Sequence, residues 1–410
     1  MSSKGNKDCL SRKKLLVVAR SGLAKRDGVY SANPNEGVFL DELAKYFDEI
    51  ILCVNIYEGS DLIKYPQNFE AKSYELNSEN INIIELKTSS YINIIGKIVQ
   101  YFKRYRAVKK ASLKVDYMFF FSTGYLGILS SFIASIFRVP SIVYVGGDWS
   151  DLIKQKSLNR NIFKRFILLR YSEFIRLIQD YSRNSADIRL IRGNELFTRY
   201  KKENSYKLPP MTNIKRKHII NINDLTIDYS DKSKILFVGR MEAENGINDF
   251  IEACGVIKSI QKKPFEINIV GQGPLFKSVE ERASQLNLEA NFLGYVENGQ
   301  KLIDIYRKNH ILVIPVLRAG LPRVLIEGFS QGLAIVASNT GGIPHLVSDG
   351  NNGLLFEASD HKDMANCILE LINDKNLCLN FSRAGVEMAM TQITDQTTAE
   401  FTAEKIRLHL

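Results

Sequence analysis

Apolar runs of strand length recur along this chain, each separated from the next by a stretch of helical periodicity. In the first half they read KKLLVVARSG, EIILCVNIY, INIIEL, YMFFFST, PSIVYVGG and ADIRLIRG; in the second, KILFVGR, FEINIVGQG, ANFLGYV, HILVIPV and AIVAS. A strand that is apolar at nearly every position is covered on both faces, and such strands alternating with helices build a parallel sheet. After the first strand, LAKRDGVYSANPNEG reads as a loop. From about Pro209 to Lys234 the pattern weakens into a polar stretch with a Pro-Pro pair, which reads as a domain connection. A chain of 410 residues exceeds the size at which one core usually stops growing. The expected fold is α/β, with two doubly wound Rossmann-like domains facing across a cleft. Residues 1–212 form the first, 213–390 the second, and a helix in 391–410 packs back towards the first.

One segment has the length of a membrane span. Tyr117 to Phe137 runs 21 residues without a charge. A Ser-Thr-Gly turn divides it, so a buried strand, a turn and a helix are expected instead. The N-terminal MSSKGNKDCLSRKK is polar and basic, unlike a secretory leader, and the five cysteines form no CxxC pair. A reducing cytoplasmic setting is the expectation, with no zinc site and no disulfide framework.

The net charge of +10 is concentrated. Between Lys97 and Arg192 there are 18 Lys or Arg against 6 Asp or Glu, a local excess of +12 that leaves the remainder slightly acidic. KIVQYFKRYRAVKKASLK and KRFILLRYSEFIRLI interleave cations with aromatic and aliphatic residues at helical spacing. That pattern suits an anionic membrane surface, at the inner face of the cell membrane, as well as it suits a solvated helix face. No nucleic-acid motif accompanies the charge, so nucleic acid is not an expected partner.

Three turns in the second half carry chemistry. ILFVGRMEAENG places Gly239 and Arg240 where a strand ends and a helix approaches, so a guanidinium can meet a phosphate bidentately. IVGQGPLF supplies Gly271 and Gly273 before another helix. LRAGLPRVLIEGF begins a turn at Gly320 and Leu321, puts Pro322 where a first helical residue suits it, and continues through Arg323 to Glu327. Free amides at such a helix start bind anions. Glu327 sits in an otherwise apolar run, where burial without a donor is costly, so a ligand with hydroxyl groups is the expected partner.

Together FVGRMEAENGINDFIEA, IVGQGPLFKSVEERASQLNL, FLGYV and VIPVLRAGLPRVLIEGFSQGLAIVASNTGGIPHLVSDGNNGLLF, in that order, resemble the C-terminal domain of retaining GT-B glycosyltransferases of the group 1, or family 4, type. The resemblance spans Ile235 to about Leu371; the first half agrees only in its strand and helix layout. It implies transfer of a hexosyl or N-acetylhexosaminyl group, with retention, from a UDP- or GDP-sugar to a lipid-linked or oligosaccharide acceptor during bacterial surface polysaccharide assembly. It implies no further cofactor and no metal. By the same resemblance Arg240 holds the diphosphate and stabilises the leaving charge, Glu327 holds the ribose hydroxyls, and the amides of Gly320, Leu321, Pro322 and Arg323 face donor sugar and phosphate. Gly239, Gly271 and Gly273 line the nucleotide site, and Gly37 and Asp148 are candidate contacts from the first domain. The pattern is departed from at Asn245, where the family has Lys, at Ala319, where it has Glu, and at His345, again for Glu. Arg318, Arg323, Lys25 and Arg26 are candidate substitutes for the lost cation. The competing expectation is a catalytically impaired GT-B module serving as a partner in a glycan-assembly complex.

Overall fold

The computed structural model describes residues 13–58, 74–87, 94–157, 161–209, 214–226, 232–297, 299–317 and 321–410. Ala319, Gly320 and Arg318 therefore lie outside the described residues. The chain divides into two compact units. The first comprises Met1–Arg192, Leu196–Leu208 and Gln396–Leu410, the second Gly193–Glu195 and Pro209–Asp395.

In the first unit the strands are β1 (Lys14–Val18), β2 (Leu23–Arg26), β3 (Val29–Ala32), β4 (Glu49–Tyr57), β5 (Tyr74–Glu75), β6 (Ile81–Lys87), β7 (Tyr117–Phe121), β8 (Ser141–Val145), β9 (Ile188–Arg192) and β10 (Ser205–Leu208). The order is β10-β9-β8-β7-β1-β4, with β6 parallel to β4 on its far side. The helices are α1 (Pro34–Ala44), α2 (Ile94–Ser112), α3 (Tyr125–Phe137), α4 (Trp149–Ser157), α5 (Ile162–Ser185) and α6 (Asn194–Tyr200). Alternation along the strands sorts the core into two layers. Leu15, Val17, Leu52 and Phe119 face one side, while Leu16, Val18, Cys53 and Phe120 face the other.

The segment read as a loop after β1 is instead a β-hairpin. β2 and β3 pair antiparallel, and the two residues between them, Asp27 and Gly28, both have positive φ, 50° and 83°. That geometry matches the right-handed twist of the flanking strands, and an Asp-Gly pair is the sequence signal that favours it. Lys25 and Arg26 are thus strand residues. The Lys25 ammonium is 2.6 Å from Glu85, and that hydrogen bond raises its pKa.

The segment Tyr117 to Phe137 folds as strand, turn and helix. Among the described residues no helix is long and apolar enough to cross a membrane.

The second unit holds β11 (Ser233–Val238), β12 (Phe265–Val270), β13 (Ala290–Gly294), β14 (Ile311–Ile314), β15 (Ala334–Ser338) and β16 (Gly353–Phe356), all parallel, in the order β13-β12-β11-β14-β15-β16. Its helices are α7 (Ile247–Ile260), α8 (Phe276–Gln285), α9 (Gln300–Arg307), α10 (Arg323–Ser330), α11 (His361–Asn373) and α12 (Lys375–Gln392). The polar stretch read as a connection is partly stitched to this unit. Ile214 and Leu225 are buried, the Ile220 amide donates to Ser330 O at 2.9 Å, and Arg307 and Gln331 both donate to the His218 carbonyl. Composition concealed this because only isolated apolar residues anchor the segment.

The remaining helix, α13 (Thr398–His409), belongs to the first unit. Ala399, Ala403 and Ile406 are buried in the same layer as Leu15 and Leu40. Each unit thus reverses its strand order beside its first strand, between β1 and β7 and between β11 and β14. Ligands of doubly wound sheets bind at the carboxyl ends of the strands around such a point.

Candidate functional site

At the reversal point of the second unit, backbone meets backbone. The Gly239 amide donates to Val270 O, the Met241 amide to Gln272 O, and the Leu275 amide to Met241 O, at 2.9–3.1 Å. A Cβ on Gly271, whose φ is 143°, would lie 1.8 Å from Gly239 O, and one on Gly273 would lie 2.5 Å from Met241 O. These two glycines therefore fix the loop after β12 against the loop after β11. A Cβ on Gly246 would lie 1.8 Å from Pro315 O, and the Leu317 amide donates to Glu244 O at 2.9 Å, joining the loop after β14 to the same loop.

On this frame Arg240 projects with its side chain 78% exposed, Nη2 lying 2.6 Å from Glu242 Oε1. An exposed ion pair is worth about 0 to 1 kcal/mol, so the guanidinium is readily exchanged to a phosphate. Asn245 has a role that its identity did not reveal. Its Nδ2 donates to the Arg240 carbonyl at 2.8 Å, holding the backbone from which the guanidinium extends.

Pro322 caps α10 and does not begin it, and no side chain caps this helix, whose first residue is Arg323. The first-turn amides are consequently offered to an anion. Leu321 is half-buried against the core and Arg323 is exposed. One turn further on, Glu327 is 6% exposed and accepts from the Tyr306 hydroxyl at 3.0 Å. The carboxylate expected to meet the hydroxyl groups of a ligand thus already has one donor within the protein. Burial raises the pKa of Glu327, and the Tyr306 hydrogen bond and the Arg323 charge only partly oppose that. Burial, followed by the Glu327 charge, also raises the Tyr306 pKa, so the phenol stays a donor. A small cavity of about 80 Å³ opens beside the pair, lined also by His218, Gly299, Leu302 and Ile303. Tyr306 and His218 went unremarked in the sequence because Tyr306 falls on the apolar face of α9 with Leu302 and Ile303, a spacing that signals core.

In the first unit a cavity of about 400 Å³ lies at the carboxyl ends of β1, β7 and β8. Arg20, Asn55, Arg104, Gly124, Tyr125 and Trp149 line it, and so does Asp148. The Asp148 carboxylate is already engaged. Oδ1 accepts from the Ser150 amide at 2.8 Å and from its hydroxyl at 2.6 Å, Oδ2 accepts from the Tyr200 hydroxyl, and Arg183 Nη1 is 3.9 Å away. Burial would raise its pKa, but these hydrogen bonds and the Arg183 charge outweigh it and leave the pKa lowered. Asp148 is therefore a weak base that anchors the start of α4. Gly37 does not line the cavity; it is buried in α1 where a Cβ would lie 2.4 Å from the Tyr74 ring. Among the described residues no group of three or more His, Cys, Asp or Glu is placed to hold a metal ion.

Residues 224–388, within the second unit, match the family model described as Glycosyl transferases group 1. An uncharacterized glycosyltransferase of Methanocaldococcus jannaschii is 30% identical over 181 residues, covering 43% of this chain and 50% of that protein. A Campylobacter jejuni α-1,4-N-acetyl-D-galactosaminyltransferase, named for a diNAcBac-PP-undecaprenol-linked acceptor, is 28% identical over 149 residues, covering 36% and 41%. The chain thus spans half or less of the length of these curated relatives. Among solved structures, Anabaena HepE in complex with UDP superposes with a TM-score of 0.62 at 15% identity, covering 96% of this chain and 99% of that one. The second unit is similar over residues 224–388 to group 1 glycosyltransferases, and the two parallel-sheet units have the GT-B fold.

Two substitutions test the site's electrostatics. Asp148→Asn weakens the acceptor shared by Ser150 and Tyr200 and removes one of the two carboxylates near the buried Arg183, which keeps Asp180 at 2.6 Å, so unfolding in urea should show a loss of about 1–3 kcal/mol. Because the Asp148 pKa is depressed, its contribution is present above the unfolded carboxyl value of about 3.9 and fades as pH falls through the folded one. Glu327→Gln works in the opposite sense. The raised Glu327 pKa favours the fold below the unfolded value of about 4.3, and that contribution is lost as pH rises. The Tm of Glu327→Gln minus that of the wild type should accordingly rise as pH rises above about 4.3; a difference that falls with pH refutes the account.

Proposed function

We propose that this chain is a retaining glycosyltransferase that moves a hexosyl or N-acetylhexosaminyl group from a nucleotide-diphosphate sugar to a lipid-linked or oligosaccharide acceptor in surface polysaccharide biosynthesis. The observation that supports this reading is that the segments following the adjacent strands β11 and β14, in a unit similar to group 1 glycosyltransferases, carry an exchangeable Arg240, an uncapped helix start at Pro322 and a buried Glu327. Arg240 binds the diphosphate and offsets the charge that grows on it as the bond to the anomeric carbon breaks. The acceptor oxygen forms the new bond on the same face, and its proton passes to the departing phosphate. No protein base is required, which accords with the lack of a free carboxylate at Asp148. Glu327, oriented by Tyr306, accepts from the ribose hydroxyls. A UDP-sugar is the favoured donor, supported by the UDP complex of the Anabaena neighbour.

Calorimetry on the full chain with UDP, GDP and a panel of their sugars tests the reading, and binding to none of them ends it. Arg240→Ala should weaken nucleoside diphosphate binding by about 10-fold to 100-fold, the equivalent of one charge-assisted contact of 1.5–3 kcal/mol. Its Tm should stay within about a degree of the wild type, because the Glu242 pair is exposed.

The acceptor side of the proposal includes an anionic membrane surface. On α5, Ile162 is 90% and Phe163 74% exposed, and Phe166, Ile167, Phe174 and Leu177 are all more than half exposed. Lys164, Arg165, Arg170 and Arg176 share the helix. Apolar side chains with cations between them bind anionic headgroups and the acyl boundary together. The full chain should sediment with vesicles containing phosphatidylglycerol and remain in solution with pure phosphatidylcholine; equal sedimentation with both would show that charge is irrelevant.

A further inference from the structure

The cavity of the first unit contains polar groups that the fold leaves unanswered. Arg104, on α2, has its Nε buried with no hydrogen-bond partner, and Asn55, at the end of β4, has its Oδ1 in the same condition. Burial lowers the Arg104 pKa, and the groups acting on its charge are the phenols of Tyr101 and Tyr57 rather than a carboxylate. A partly buried guanidinium without an anion is costly, and a fold keeps one where a ligand supplies the missing charge. Arg20, in the turn after β1, lines the same cavity. Two carboxylates lie near this space. Glu36 accepts hydrogen bonds from Ser21 and the Arg20 backbone and is close enough to feel the Arg20 charge, while burial raises its pKa; Asp148 is consumed by Ser150, Tyr200 and Arg183. Among the described residues, Arg104 is thus the charged side chain of this lining that no carboxylate answers.

Its backbone is equally bare. Gly124 precedes α3 with φ 88° and no side-chain cap, and a Cβ on Gly124 or Gly147 would meet nothing within 4 Å. The amides of a 13-residue helix thus open onto the space that Arg104 and Arg20 line. Beside them stand Tyr125 and Trp149, in edge-to-face contact at 4.9 Å, with Leu126 and Leu152. Anion-binding groups next to an aromatic and aliphatic wall specify an amphiphilic ligand.

We propose that Arg104 and Arg20 bind a phosphate or diphosphate group of the acceptor in this cavity, a subsite that deepens the glycosyltransferase reading and rests on it. The phosphate oxygens answer the orphaned Arg104 donor, and a hydroxyl of the attached sugar answers the Asn55 oxygen. Tyr125 and Trp149 cover the apolar part of the ligand that leaves the phosphate.

The test uses the full chain and three probes in calorimetry: farnesyl diphosphate, inorganic pyrophosphate and farnesol below their aggregation limits. Arg104→Gln should weaken binding of the phosphorylated probes by 10-fold or more, with Arg104→Lys intermediate because it restores charge without the fork. Arg20→Gln, at an exposed position, gives the same reading should Arg104→Gln fold poorly. UDP affinity should be unchanged in all three variants, which separates this subsite from the donor site. Tighter binding of farnesyl diphosphate than of pyrophosphate assigns the phosphate to a lipid-linked acceptor, and equal binding assigns it to a free phosphate; either upholds the subsite. Farnesol binding as tightly as farnesyl diphosphate, or phosphorylated probes binding Arg104→Gln and Arg20→Gln as they bind the wild type, overturns it. Should the wild type bind no nucleoside diphosphate, the donor reading fails on its own and the probe results still decide the anion subsite.

Discussion

The contact on which the second unit's chemistry depends is that of two backbones with nothing between them. At Gly271 and Gly273 the loop after β12 lies against the loop after β11 at distances no Cβ could occupy, and Gly246 does the same against Pro315. These approaches fix the peptide from which Arg240 extends, leaving only the side chain to move. The loop is rigid where position matters and loose where a ligand must be grasped. Preorganisation of this kind removes ordering cost from the binding step.

The sheets were legible because burial on two faces imposes a pattern that short strands cannot disguise. KILFVGR and HILVIPV are apolar at successive positions, and the structure shows their alternate residues feeding separate layers. The hairpin at Asp27-Gly28 was missed although its turn signal was present, because β2 and β3 are only four residues each and lack a clear alternation. Gly239, Arg240 and Glu327 could be singled out since turns and isolated charges stand out against apolar runs. Tyr306 could not, for its hydroxyl is invisible in a helix whose spacing reads as core. The role of Asn245 was hidden for a different reason: a side chain that bonds a backbone carbonyl five residues away leaves no mark in composition.

The two units use buried charge differently. Around Asp148 the hydrogen bonds of Ser150 and Tyr200 close on the carboxylate, while Arg183, paired with Asp180 at 2.6 Å and stacked 3.9 Å from the Tyr200 ring, keeps Nε and Nη1 buried in the packed interior without a hydrogen-bond partner. Glu327 is closed on one side by Tyr306 and borders a small cavity on the other. Among the described residues Arg104 has no closing carboxylate, and its helix carries apolar residues to solvent, Phe102 among them at 63% exposure. Satisfied polar groups mark structure, whereas unsatisfied ones beside open space mark where something else is accommodated.

Helix α13 carries a consequence for how the chain is made. Its Ala399, Ala403 and Ile406 complete the layer that contains Leu15, Leu40 and Phe119, yet they follow the whole of Pro209–Asp395 in sequence. During synthesis the first unit leaves the ribosome with that seam of its core uncovered, and it stays so until the second unit has been translated. A nascent chain in this condition presents an apolar strip beside α1 that chaperones can hold, and the two units are committed to finish folding in an order opposite to that in which they begin.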